Sequence, residues 1–150
     1  MSAALTELIL AVFRLNGRLL AAGDALVSDI GLTSARWQVL GAVALADAPQ
    51  PVAHLARAMG LTRQSVQRIV DALVAEGLLR LEPNPHHVRA RLVRLTDTGA
   101  ALHAAASARQ VPWAKALGDG LDADAVRESA ELLRTLEARL GHSTKEEALC

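Results

Sequence analysis

Apolar residues recur along this chain at helical spacing, with one interruption at strand spacing. From Leu5 to about Leu26, the positions Leu5, Leu8, Ile9, Val12, Phe13, Leu15, Leu19, Leu20 and Leu26 cover more than one stripe of a helix, so that helix needs partners on two sides. Gly17 and Gly23 each weaken it by roughly 1 kcal/mol relative to alanine. A second helix, capped by Thr33 or Ser34, carries Trp37, Val39, Leu40, Val43 and Leu45 and ends in the loop 47–51. The stretch 55–79, LARAMGLTRQSVQRIVDALVAEGLL, then reads as a short helix, a turn and a second helix. Ala56 is small where the two helices cross, Gly60 supplies the turn, and Thr62 caps the second helix.

On that second helix Val66, Ile69, Val70 and Leu73 fall at i, i+3, i+4 and i+7 and must face the core, which leaves Arg63, Gln64, Gln67, Arg68 and Asp71 outside. Beyond it, Leu78 to Glu82 reads as a strand, 83–88 (PNPHHV) as a turn, and Arg89 to Leu95 as a returning strand with Arg89 and Arg91 on one side. An alanine-rich helix follows from its cap at Thr96, with a bend expected at Pro112. Asp122 caps a last helix bearing Val126, Ala130, Leu133, Leu136 and Leu140, and 141–150 is a polar tail. The architecture is mainly α with a small β-wing (α+β). It is a winged helix–turn–helix over 33–95 with a helical dimerisation lobe from 3–28 and 96–140.

The outer face of the Thr62 helix is chemically selective. Arg63, Gln64, Ser65, Gln67 and Arg68 precede its first acid, Asp71. Arginine pairs with the O6 and N7 acceptors of guanine and glutamine with the N6 and N7 edge of adenine, so this helix suits the major groove of DNA. Arg89 and Arg91, near the wing loop, suit phosphates or the minor groove. No Asp or Glu lies between Asn84 and Leu95.

Whole-chain charge hides this pattern, because 16 Lys and Arg balance 16 Asp and Glu. Between Arg57 and Arg94, however, seven arginines stand against Asp71, Glu76 and Glu82, a net of +4. A basic segment on an acidic remainder is the footprint of a nucleic-acid partner. No apolar run approaches the roughly 20 residues of a membrane span and no signal peptide opens the chain, so a cytoplasmic location is expected.

Other chemistry is sparse. The single cysteine, Cys150, excludes a disulfide framework and reads as a tail thiol without a role. His86 and His87 are adjacent, project in different directions and have no Cys or acid nearby to complete a zinc site. No nucleophile–base arrangement, carboxylate pair or phosphate-cradling glycine loop is present, which argues against an enzyme and against a bound cofactor. The competing reading is a winged helix used for protein–protein contact without specific DNA binding; the basic reading face argues against it.

In this order and spacing, GLTSARWQVL, LARAMGLTRQSVQRIVDALVAEGLL and EPNPHHVRARLVRLTDTG resemble the MarR family (multiple antibiotic resistance regulators) over essentially the whole chain. The resemblance implies a homodimer on an inverted repeat of double-stranded DNA, with Thr62 to Arg68 in the major groove and Arg89 in the minor groove. It also implies repression relieved by a small aromatic carboxylate or phenol held between the two lobes. The chain departs from the family at His87, where an acid usually stands two positions before the wing-tip arginine. Surplus apolar surface on the terminal helices independently argues for a symmetric dimer. For the effector, Arg14 and Trp37 are candidates for an anion-and-aromatic corner, against the alternative of a surface arginine and a core tryptophan. His54, His103 and Trp113 are further ring-bearing candidates.

Overall fold

The computed structural model describes the backbone of residues 2–147 and the side chains of residues 2–141. Its elements are α1 (Ser2–Val27), a 3-10 turn (Ser28–Ile30), α2 (Ser34–Leu45), β1 (Gln50–Pro51), α3 (Val52–Ala58), α4 (Arg63–Ala75), β2 (Leu79–Glu82), β3 (Leu92–Leu95), α5 (Asp97–Leu117) and α6 (Ala123–Glu147). The fold is mainly helical, with one small antiparallel sheet ordered β1-β3-β2. The chain forms two compact units, 1–112 and 113–150.

The first unit holds the core. Val66, Val70 and Leu73 from α4 are fully buried with Val39 and Leu40 from α2 and Val93 from β3, while Ile69 packs at the margin. The inward stripe of α4 is therefore the one its spacing predicts. Caps set where the helices begin. Thr33 Oγ1 accepts from the Arg36 N–H at 3.3 Å, and Thr96 Oγ1 accepts from the Gly99 N–H at 3.0 Å. Gly60, at φ +65°, closes α3: its N–H reaches the Arg57 carbonyl at 3.2 Å, and the Leu61 N–H returns to Ala56 at 2.9 Å. This turn sets the angle at which α4 leaves α3.

Three boundaries differ from the sequence expectation. β3 begins at Leu92, not Arg89, because β2 ends opposite it at Glu82 and Pro83 has no N–H to extend the ladder. Arg89 and Arg91 therefore lie in a loop, where strand alternation does not govern them. Gln50 and Pro51, expected as loop, pair with Val93 and Leu92 as an edge strand. α5 continues to Leu117 with Pro112, the position of the expected bend, inside it. α6 continues to Glu147, beyond the expected end near Leu140, in keeping with the helix-forming Lys145, Glu146 and Glu147. Cys150 lies outside the described residues.

Candidate nucleic-acid interface

The outer face of α4 is built from its cap upward. Thr62 Oγ1 accepts from the Ser65 N–H at 3.2 Å, and the Ser65 hydroxyl donates to the Thr62 carbonyl at 2.9 Å. Both residues are thus committed to starting the helix, and their outward atoms stand at its positive end. Arg63, Gln64 and Arg68 follow, all exposed and without a side-chain partner among the described residues. Gln67 is half-buried, and its Nε2 donates to Asp71 Oδ1 at 2.8 Å. That bond fixes the amide plane while leaving Oε1 and the second N–H available.

The wing brings further cations to the same side. A cleft of about 250 Å³ is lined by Arg63 and Gln67 from α4, Arg89 and Arg91 from the wing loop, and the apolar Pro51 and Leu81. A shallow depression along α4 itself is lined by Arg63, Gln64, Gln67, Arg68 and Asp71. Arg91 is partly tethered, its Nη2 donating to the Leu81 carbonyl at 3.1 Å. The Arg89 side chain is exposed and has no hydrogen-bond or ion-pair partner among the described residues.

Every acid of the basic segment is engaged. Asp71 is bonded by Gln67, Glu76 is ion-paired with Arg36 of α2, and Glu82 holds both Arg80 and Arg94, the latter at 2.5 Å. Sequence reading counts Arg80 and Arg94 in the basic footprint; the structure shows them sharing the single carboxylate of Glu82 on the wing strands, which leaves one net positive charge between them. It missed Arg36 too, which also donates to the Gly31 carbonyl at 3.3 Å and so ties the α1–α2 connection to the end of α4. The only signal for the wing cluster is the alternation Arg80-Leu81-Glu82 facing Arg94 in the returning strand.

Arg80 and Arg94 stand directly opposite one another in the β2–β3 register, an arrangement of like charges that costs stability unless a carboxylate joins them. Glu82 does so. The hydrogen bond from Arg94, reinforced by both guanidinium charges, holds its carboxyl below the ordinary value of 4.5. A lowered folded-state value means that Glu82 stabilises fully above 4.5 and loses its effect as pH falls through the lowered value. Glu82→Gln is accordingly expected to unfold at lower urea than the parent at pH 7, with a narrower gap at pH 3, below the ordinary value. Equal gaps at both pH values would show that the charge of Glu82 has no part in it.

The structure does not gather the effector candidates at this site. Arg14 is exposed on α1, Trp37 is half-buried against the core, and neither lines the two clefts above. His54 shares a hydrogen bond with Gln50 at 3.0 Å. Among the described residues no cluster of His, Cys, Asp and Glu is placed to hold a metal ion, and no helix is long and apolar enough to cross a membrane.

Residues 30–90 match the MarR family. An uncharacterized protein of Mycobacterium tuberculosis is 35% identical over 136 residues, 91% of this chain and 94% of that one. Sco5413, a MarR family transcriptional regulator from Streptomyces coelicolor, superposes with a TM-score of 0.76 at 29% identity, covering 91% of this chain and 95% of its own. The PcaV transcriptional regulator from the same organism, crystallised with its natural ligand, gives a TM-score of 0.68 at 27% identity over 83% of this chain and 89% of its own.

Proposed function

We propose that this chain, which belongs to the MarR family of winged-helix transcription regulators, acts as a cytoplasmic homodimeric repressor that reads a pseudo-palindromic operator and is released by a small aromatic or phenolic effector. One observation carries the DNA reading. Arg63, Gln64, Arg68 and Arg89 present unpaired donors on one side of the first unit, while each nearby acid is already engaged by a protein side chain. A solvated helix face without a partner has no need of that arrangement.

In this reading α4 enters the major groove, with Arg63 and Gln67 addressing base edges and Arg68 the flanking backbone. Arg89 and Arg91 reach the minor groove or its phosphates, and Thr62 and Ser65 offer the helix N-terminus to a phosphate. Residues 33–95 form the DNA-binding lobe, and the terminal helices join two copies. Nothing in this arrangement performs chemistry on a substrate; the chain works by binding. For the effector, support comes from the ligand-bound PcaV, whose fold this chain shares. Arg14 and Trp37 are the residues with suitable chemistry to test.

Selection of duplexes from a random pool, followed by titration of the best one, tests the proposal. Arg63→Ala and Gln67→Ala should each weaken the specific duplex by roughly 1–3 kcal/mol and relax base preference, with little change on random DNA. The same titration with phenolic and aryl-carboxylate compounds should reveal one that lowers operator affinity, with Arg14→Ala or Trp37→Phe blunting the response. A parent protein that prefers no sequence, or variants that bind both duplexes as the parent does, would remove α4 as the reading helix and favour a protein-contact module. If no compound acts, the repressor is constitutive.

A further inference from the structure

The β2–β3 loop cannot be held by ordinary strand pairing. It carries Pro83 and Pro85, neither of which has a backbone N–H, and three consecutive exposed residues, His86, His87 and Val88, the last 90% exposed. Such a loop would ordinarily sample many conformations and carry Arg89 with it. Instead, one half-buried side chain bonds to both of its ends. Asn84 Oδ1 accepts from the His86 N–H at 3.0 Å, and Asn84 Nδ2 donates to the Ala90 carbonyl at 2.8 Å, six residues on. The backbone completes the closure. The Asn84 carbonyl accepts from the His87 N–H at 3.2 Å, and the His87 carbonyl accepts from the Ala90 N–H at 3.0 Å, which makes Val88 and Arg89 the central pair of a turn.

We infer that Asn84 is a positioning residue for DNA binding: its amide bridges the loop and holds Arg89 at the height and direction from which it reaches the duplex. No other side chain in the loop does this. The histidines enter the described bonds only through their backbones, and Arg91 is tethered separately to Leu81 on β2. The chemistry of Asn suits the task because a single side chain supplies both the acceptor for an N–H at the start of the loop and the donor for a carbonyl at its end. Neither Asp nor Ala supplies both. Holding Arg89 in place before binding reduces the ordering cost at the moment of contact, and this is how a residue that touches no DNA strengthens the complex.

The inference rests on the DNA-binding reading above, and a double-mutant cycle separates the two. The selected duplex is titrated across a salt series with the full-length parent, Asn84→Ala, Arg89→Ala and the double variant. Asn84→Ala is expected to weaken binding about tenfold. Although Asn84 carries no charge, its loss should lower the slope of log K against log[salt] by about one unit, as Arg89→Ala does. Added to Arg89→Ala, it should cost nothing more. Amide exchange should quicken at His86, His87 and Ala90 in Asn84→Ala and stay unchanged in α4, which shows that the fold is intact. Additive losses, a parental salt slope or unchanged exchange at those three amides would overturn the role of Asn84 while leaving the reading helix standing. A parent that binds no duplex would overturn both.

Discussion

Exchanging Gly99 for alanine is expected to lower the unfolding free energy by about 3 kcal/mol, at the upper end of overpacking costs. A Cβ at this position would lie 1.9 Å from the carbonyl oxygen of Leu78 and 2.9 Å from its carbon. The obstacle is backbone, and it is held from several directions. The Leu78 N–H returns to the Leu73 carbonyl at 2.9 Å where α4 ends, and the Leu78 carbonyl accepts from the Thr96 N–H at 3.2 Å. The Thr96 hydroxyl donates to the Gly77 carbonyl at 2.7 Å while accepting from the Gly99 N–H at 3.0 Å. Because the end of α4, the start of β2 and the start of α5 meet here, relief of the clash moves α4 or the wing. Urea unfolding followed by circular dichroism measures the loss; a parental midpoint would mean that α5 shifts aside at no cost.

Loss of the α1 apolar surface is expected to cost about 10²–10⁴-fold in operator affinity, the gain that linking two binding sites typically provides. α1 exposes Phe13 at 71%, Leu10 at 50% and Ile9 at 43%, and α6, taken by itself, exposes Leu132 at 48% and Leu133 at 41%. Exposed apolar surface of this extent is the kind that a partner covers, and a second copy is the occupant that the proposed two-fold operator requires. Deleting residues 1–16 removes most of this surface, leaving Leu19 and Leu20. Ile9→Asp combined with Val12→Asp keeps the helix and places charges on it, so a folded chain remains to be measured. Sedimentation should show a dimer for the parent and a monomer for the double variant, with half-site affinity retained. A dimeric double variant, or a parent that is a stable monomer, would remove the dimer and the palindrome with it.

The two results would bear on different levels of information in the chain. Helix starts were legible in the sequence because a cap is a local device: Thr33, Thr62, Thr96 and Asp122 each accept a backbone N–H two or three residues ahead. The buried stripe of α4 was legible because Val66, Val70 and Leu73 follow helical spacing, and the exposed cations opposite them follow from the same period. Gly23 shows where local reasoning stops. Its propensity cost was visible, but its purpose was not: it is buried where a Cβ would come within 2.2 Å of Ser34 Oγ, and that hydroxyl donates to the Leu20 carbonyl while the Ser34 N–H donates to Asp24. Likewise β1, the late start of β3, the Arg36–Glu76 pair and the bracing of the wing by Asn84 depend on groups brought together from different elements or across a loop. The sequence by itself determined which segments become helices, which face of α4 turns inward and that the other face is basic, since these depend on neighbours within about one turn. Only the tertiary structure decided which arginines remain free, because an arginine's charge is available or spent according to the carboxylate that folding places beside it, and that distance is not a distance along the chain.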